Sequence, residues 1–395
     1  MTTKISVTIA ILLLSVASRS AADDPCDKNH YILGISCTDL AVDLPIGKVG
    51  AVATDMLGNV YFSSPHVVFR LDSNGGLVRI AGGATPGFSG DGGPAAYALL
   101  NIPHDDYPGF EPVMDMPLVA GIAVDAAGNV YLADTLNNRI RKIHTSGIIT
   151  TEIGGPASIL RGGFNDTDLF WQQGIAVDAA GNLYLSTAQG SLISRAPDGS
   201  ISELAPSSCG TNRRGMGPCG SMQIALDPSG NVLVPDYYCR VIKIGADATI
   251  VTVAGDPSPG SAYACGSSGD GGPAFAARLN WPYAVAADNT GSLFIADTYN
   301  HCIRKVDAAG VIQTVAGDCR GYYSGVTYGR RGGFSGDGGP ASQAQLKYPS
   351  GIAVDAAGNL YIADTGNHRV RKVDATGIIT TVAGNGDILR PTLRK

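Results

Sequence analysis

One strand-turn-strand phrase recurs along the chain, and this repeat constrains the fold more than any other feature of the sequence. Its clearest copies occupy 121–134, 174–186 and 351–364, and weaker copies begin at Ala51, Gln223 and Ala284. The first copy reads Gly-Ile-Ala-Val-Asp-Ala-Ala-Gly-Asn-Val-Tyr-Leu-Ala-Asp. The chain therefore consists of six similar units.

Each unit is predicted to contain four short strands. In the second unit these cover 121–125, 129–134, 139–143 and 148–154. Their β-branched and aromatic residues, bounded by Gly, Asn and Asp, are typical of strands. The Asp caps the first turn with its side chain and the Gly accepts the positive φ of a tight turn, so the first two strands form a hairpin.

The spacing of the units shows where the chain varies in length. The turn aspartates are Asp55, Asp125, Asp178, Asp227, Asp288 and Asp355. Successive aspartates are 49 to 70 residues apart, whereas each lies only 27 to 29 residues before the end of its fourth strand. The variation is therefore confined to the connections between units.

Four-stranded units of this size must stack to bury both faces, and closure into a ring leaves only short edges. We therefore predict an all-β fold, a six-bladed β-propeller of four-stranded antiparallel blades over 48–384. A two-sheet sandwich is the alternative, but it would not require six copies of one phrase.

The last unit, which contains Asn367-His368, resembles the NHL repeat, and Asn300-His301 matches the same motif in the unit before. The resemblance covers about 48–384 and implies a propeller that serves as a binding platform for protein, carbohydrate or RNA. A minority of the family are enzymes, among them amidating lyases that bind zinc through histidines of the channel. The first strands here contain no histidine, so that subfamily is not expected.

The start of the chain is typical of a secretory signal peptide over 1–22, with Lys4, an apolar stretch over 5–17 and small residues at 20–22. We expect a secreted protein with an N-terminal segment over 23–47 and a C-terminal tail over 385–395. The apolar stretch is too short to span a bilayer. The net charge of −6 and the scattered basic residues disfavour nucleic acid as a partner, and a monomer is expected.

Eight cysteines form an even set suited to an oxidising compartment. We predict the pairs Cys239–Cys265 and Cys302–Cys319. In each pair the first cysteine lies in the connection between the second and third strands of a blade, and the second lies in the segment that follows the fourth strand of the same blade. Local pairing is the simplest arrangement for Cys26 with Cys37 and for Cys209 with Cys219. One glycosylation sequon, at Asn165, falls in the second connection and is expected to be exposed.

In an antiparallel blade, the connection between strands two and three lies at the same end as the exit of strand four. We therefore expect every length-variable connection on one face, the usual layout of a binding surface. The fifth connection has the composition of an adaptable recognition loop, and its candidate ligand-binding residues are Tyr322, Tyr323, Tyr328, Arg330 and Arg331. The alternative is a solvated loop that is rich in tyrosine.

The segment Ser-Gly-Asp-Gly-Gly-Pro-Ala occurs three times and contributes Asp91, Asp270 and Asp337. A functional interpretation assigns these carboxylates to Ca²⁺ or to a sugar hydroxyl. A structural interpretation is a Gly-rich turn leading into a short helical turn, with Ala and Leu packed beneath it. We favour the structural interpretation, because Ca²⁺ requires several oxygen ligands and each copy supplies one carboxylate.

Catalytic signatures do not emerge from the sequence, and we nominate no catalytic residue or cofactor. The string Gly87-Phe-Ser89-Gly-Asp91 lacks the last glycine of a nucleophile elbow. Asp297, His301 and Arg304, and in the next unit Asp364, His368 and Arg369, are interpreted as a repeated hydrogen-bonded turn. The favoured function is a secreted binding or scaffold module that recognises protein or carbohydrate. The alternative is a secreted lyase or hydrolase with its site at the propeller mouth.

Overall fold

The computed structural model describes residues 41–102, 120–154, 174–186, 190–205, 223–236, 238–256, 265–319 and 332–387. Each blade is a short antiparallel sheet in which consecutive strands lie side by side. The strands of blades 1 to 3 are β1 (Val52–Thr54), β2 (Val60–Ser64), β3 (Val67–Leu71), β4 (Leu77–Gly82), β5 (Ile122–Val124), β6 (Val130–Asp134), β7 (Arg139–Ile143), β8 (Ile149–Gly154), β9 (Ile175–Val177), β10 (Leu183–Ser186), β11 (Leu192–Arg195) and β12 (Ile201–Ala205).

The strands of blades 4 to 6 are β13 (Ala225–Leu226), β14 (Val232–Asp236), β15 (Arg240–Ile244), β16 (Ile250–Ala254), β17 (Pro282–Ala287), β18 (Leu293–Asp297), β19 (Cys302–Val306), β20 (Ile312–Ala316), β21 (Pro349–Val354), β22 (Leu360–Asp364), β23 (Arg369–Val373) and β24 (Ile379–Ala383). Short 3-10 turns cover Ala41–Asp43, Ala95–Tyr97, Thr135–Asn137, Ala274–Ala276, Thr298–Asn300, Ala341–Gln343 and Thr365–Asn367. Among the described residues, no helix is long and apolar enough to cross a membrane.

The first strands of the blades form an inner ring. β1 packs against β5 and β21, and β9, β13 and β17 complete the circle. The sheet order confirms the predicted six-bladed propeller of four-stranded antiparallel blades. The strands of blade 2 agree with their predicted positions to within one residue at each end.

The predicted capped hairpin is confirmed between the first two strands. In blade 2, Asp125 Oδ1 accepts hydrogen bonds from the backbone N–H groups of Ala127 at 3.0 Å and Asn129 at 2.8 Å. Its Oδ2 accepts from Asn129 Nδ2 at 2.8 Å and from the Tyr131 hydroxyl at 3.3 Å. Gly128 has a φ of 86°, a conformation that only glycine adopts readily. One phrase thus encodes the whole turn locally.

We call the end of the propeller that carries the connections between second and third strands the loop face. The predicted proximity of the fourth-strand exits to these connections is confirmed by three equivalent hydrogen bonds. Asn137 Nδ2 donates to Gly87 O at 2.7 Å, Asn300 Nδ2 to Gly266 O at 2.7 Å and Asn367 Nδ2 to Gly333 O at 2.8 Å.

The prediction that the connections lie wholly on that face is wrong for three of them. After leaving the loop face, the chain runs between two blades toward the opposite end of the propeller. There Ala95, Ala274 and Ala341 donate backbone hydrogen bonds to Gly147, Gly310 and Gly377 of the turns between third and fourth strands, each at 2.8 Å. The chain takes this path because it buries apolar side chains between the blades, among them Ala98 and Leu100.

Candidate functional site

Two disulfides tether the connections on the loop face. Cys239 is bonded to Cys265, with Cα atoms 5.4 Å apart, and Cys302 to Cys319, with Cα atoms 4.9 Å apart. Both predicted pairs are confirmed. The remaining predicted cysteines, Cys26, Cys37, Cys209 and Cys219, lie outside the described residues, as does the sequon at Asn165.

A buried aspartate ends the second strand in blades 2, 4, 5 and 6, as Asp297 illustrates. Its Oδ1 accepts a hydrogen bond from the Asn280 backbone N–H at 2.6 Å. Its Oδ2 accepts from Asn300 Nδ2 at 2.8 Å and lies 3.4 Å from a guanidinium nitrogen of Arg304. Burial raises the pKa of Asp297 to about 6, against the opposing effects of these hydrogen bonds and of the Arg304 charge. The repeated hydrogen-bonded turn predicted from the sequence is therefore present.

We call Asp91, Asp270 and Asp337 the connector aspartates. Each lies on the outer side of one buried arginine. Asp91 Oδ1 lies 2.9 Å from Arg141, Asp270 Oδ1 2.6 Å from Arg304 and Asp337 Oδ1 2.8 Å from Arg371. The remaining oxygens of two of them accept threonine hydroxyls, as Thr151 and Thr381 each donate at 2.7 Å. These contacts give the connector aspartates a structural role, which is the interpretation we favoured. A role in binding Ca²⁺ or sugar stays a prediction.

The sequence analysis treated Arg369 as the equivalent of Arg304 in the next unit. In the structure, the equivalent of Arg304 is Arg371. Arg371 lies fully buried between Asp364 and Asp337, whereas the guanidinium of Arg369 stacks 3.9 Å from the centre of the Phe334 ring. The sequence feature that identifies these buried arginines is the residue type at the third position of the third strand. This position points into the blade interface and is arginine in blades 2, 5 and 6, where an apolar residue is the norm.

Five rings, which we call the aromatic cluster, lie at the loop-face end of blades 5 and 6: Trp281, Tyr283, Tyr299, His301 and Tyr348. Tyr299 is central, with ring centres 5.8 Å from Trp281, 6.4 Å from Tyr283 and 5.5 Å from Tyr348. The ring of His301 meets Tyr348 edge to face at 4.6 Å. Trp281, Tyr299 and Tyr348 remain partly exposed, so the cluster offers aromatic surface to a ligand.

Trp281 and Tyr348 have backbones in the left-handed region, with φ values of 49° and 48°. This conformation costs an L-residue roughly 1 to 2 kcal/mol. Two hydrogen bonds hold it, since the Trp281 N–H points to Cys239 Sγ at 3.4 Å and the Tyr348 N–H donates to His301 Nδ1 at 3.1 Å. Strain of this kind collects at binding sites, where the surroundings fix a side chain in advance. The cluster is therefore the strongest candidate site among the described residues.

His301 contributes to the cluster as a neutral imidazole. Because its Nδ1 accepts the Tyr348 N–H, that nitrogen carries no proton. Burial lowers the pKa of His301 to about 4; the Asp318 charge opposes this shift and the Lys347 charge adds to it. His301 is therefore a structural acceptor at neutral pH.

The contribution of His301 to stability is expected to fall as the pH is lowered from 6.5 toward 4, whereas the buried Asp297 and Asp364, whose pKa is raised to about 6, contribute in the opposite direction. Over this range the unfolded chain protonates His301 while the folded protein does not, so protons favour unfolding by roughly 3 kcal/mol at most. His301→Asn should remove this contribution and so change the slope of stability against pH, because Asn138 occupies the equivalent left-handed position in blade 2 without titrating. Denaturant unfolding of both proteins across this range measures the difference. An identical slope in the variant would contradict the assignment.

Gln223 is a second residue that sequence reasoning missed. It stands where the other units have a small residue: Ala51, Gly121, Gly174, Ala284 and Gly351. Its backbone N–H donates to Tyr283 O at 2.9 Å, and its Nε2 donates across the ring to Val52 O of blade 1 at 3.0 Å. The buried Gln223 side chain therefore spans the loop-face end of the channel. The sequence does carry a signal for Gln223, because the other five units all have alanine or glycine at this position.

The candidate residues Tyr322, Tyr323, Tyr328, Arg330 and Arg331 lie outside the described residues. The ends of their connection are described and lie at the aromatic cluster. Cys319 is bonded to Cys302, and a Cβ placed on Gly332 would lie 2.9 Å from Cγ of His301. The predicted loop is thus attached at both ends beside the cluster.

In the described part of the chain, one group has the spacing of metal ligands: Asp297, Cys302 and Cys319, with ligand atoms within 4.8 Å of one another. The two sulfur atoms form a disulfide and the carboxylate already accepts three donors. Disulfide sulfur is not a thiolate ligand, so this group is accounted for without a metal.

The repeats are similar in sequence to those of known proteins. A family model described as the Teneurin NHL domain matches residues 243–324 and 332–392. Mouse Teneurin-4 is 30% identical over 285 residues, which make up 62% of this chain and 10% of that protein. Human Teneurin-1 is 28% identical over 296 residues, which make up 72% of this chain and 8% of that protein. The chain thus spans a tenth or less of the length of these relatives.

A solved structure of a protein of unknown function from Bacteroides thetaiotaomicron VPI-5482 is similar with a TM-score of 0.56. The two are 18% identical, and the match covers 85% of this chain and 71% of that one. At this identity the likeness shows the fold alone. The six blades with their capped hairpins form a β-propeller, and the family model shows that its repeats over 243–324 and 332–392 are of the NHL type.

Proposed function

We propose that the propeller is an extracellular binding module that recognises a protein or carbohydrate ligand through the aromatic cluster on its loop face. The observation that carries the proposal is the pair Trp281 and Tyr348. Both are partly exposed aromatic residues held in left-handed backbone conformations, and both are packed against the same central ring. Such rings give a ligand a large contact area at low entropic cost, because their orientation is fixed before binding.

Two further features support this role. The disulfide Cys302–Cys319 fixes the start of the fifth connection beside the cluster. Disulfides persist in oxidising compartments, in agreement with the secretion expected from the sequence.

Trp281→Ala and Tyr348→Ala are each expected to weaken ligand binding by about 30-fold or more, the loss typical of an aromatic hot spot. The matched control is Met56→Ala, which truncates an 81% exposed apolar residue in a hairpin turn at the opposite end of the propeller. A glycan array and a screen of secreted proteins would supply the ligand, and calorimetric titration would give the affinities. Circular dichroism would verify that each variant is folded.

Equal affinity of all three variants for the identified ligand would place the binding surface elsewhere. A loss confined to Met56→Ala would move the surface to the opposite end of the propeller. Metal analysis of the purified protein, run beside the screen, would test the alternative of catalysis at the propeller mouth.

A further inference from the structure

The propeller has six interfaces between blades but only five connections between successive blades, because blades 6 and 1 are not consecutive in the chain. At the interface between blade 6 and blade 1, residues 41–50 occupy the place of the missing connection. We call this segment the clasp. It runs directly into β1.

Backbone hydrogen bonds show that the clasp copies a connection. The Gly384 N–H at the end of β24 donates to Ala41 O at 2.9 Å, just as the Gly317 N–H at the end of β20 donates to Ala341 O at 3.0 Å. At the other end of the clasp, Thr365 Oγ1 donates to Val49 O at 2.8 Å. The equivalent Thr298 Oγ1 donates to Pro349 O at 2.7 Å.

The apolar residues follow the same register. Ile46 is fully buried and corresponds to Leu346, which is 1% exposed. Leu44, 4% exposed, corresponds to Ala344. The packing is close, since a Cβ placed on Gly384 would lie 2.8 Å from Cδ1 of Ile46. The clasp therefore fills the space between blades 6 and 1 as the connection after blade 5 fills the space before blade 6.

We propose that the clasp closes the ring, and that the interface between blades 6 and 1 is the place where the folded propeller opens first. Each of the five other connections is covalently continuous with both of the blades that it separates. The clasp is continuous with blade 1, and it meets blade 6 through hydrogen bonds and apolar contacts. A covalent link keeps the two sides of an interface at high effective concentration after a local separation. Within the described residues, no such link joins the clasp to blade 6.

Amide hydrogen exchange of the full chain tests the proposal on two matched groups. The amides of Gly384 and Gly317 make equivalent bonds to alanine carbonyls, so equal local stability would give similar protection. We expect Gly384 to exchange about tenfold faster or more, because local opening sets the exchange rate of a bonded amide. Equal protection of the two amides would overturn the proposal.

A circular permutant separates opening of the clasp interface from fraying of the C-terminal end. Joining Lys395 to Asp23 and cutting the chain in the third connection makes the clasp continuous with both blades while keeping the native residues at every described interface. Protection at Gly384 is then expected to rise to that at Gly317. Unchanged exchange at Gly384 would overturn the proposal.

Two substitutions in the natural chain provide a test that does not depend on the permutant folding. Ile46→Ala should accelerate exchange at Gly384 and leave Gly317 unchanged, whereas Leu346→Ala should accelerate Gly317. Equal acceleration of both amides by Ile46→Ala would show that the ring opens as one unit, and this would contradict the proposal.

Discussion

Arg371→Met is expected to lower the free energy of unfolding by about 3 to 5 kcal/mol at pH 7, the usual cost of removing one partner from a buried ion pair. The substitution keeps much of the apolar volume but leaves Asp364 fully buried without its cation. It also removes the partner of Asp337 at 2.8 Å. Denaturant unfolding measures the change directly.

Two features make this prediction specific. The loss should shrink toward pH 5, because burial raises the pKa of Asp364 to about 6 and a protonated carboxyl no longer needs the arginine. The control, Arg70→Met, removes a pair with Asp72 whose side chains are 37% and 28% exposed, and it should cost about 1 kcal/mol or less. Equal losses in the two variants would contradict the assignment of Arg371 to the core.

Leu279→Ala is expected to cost about 2 to 5 kcal/mol, the range for cavities left by a fully buried leucine. Leu279 belongs to the connection between blades 4 and 5 and packs in one apolar cluster with Leu233, Ile295 and Ile312. The cost therefore tests whether a connection that the sequence presents as a loop is part of the core. Thermal or denaturant unfolding gives the value.

The matched control is Val251→Ala in β16. Val251 is 47% exposed, so its truncation should change the free energy of unfolding by about 0.5 kcal/mol or less. If Leu279→Ala were equally mild, the connection would be a surface loop and the packing of Leu279 would be incidental.

Sequence information is sufficient to predict a structural feature wherever its cause is local. The Asp-Ala-Ala-Gly-Asn turn closes through bonds between residues up to six apart, as from Asp125 to Asn129 and Tyr131, and each copy therefore predicts its own hairpin. The two described disulfides followed from the same local logic, because the antiparallel order places Cys302 and Cys319 at one end of a blade.

The contacts between blades could not be derived from the repeat pattern, because they join residues that are far apart in the chain. Arg371 reaches Asp337 across 34 positions of the chain, and Gln223 reaches Val52 across 171. The clasp joins Ala41 to Gly384, almost the two ends of the described chain. The repeat determines each blade through neighbouring residues, but the candidate site and the closure of the ring depend on contacts that exist only once six blades share an axis.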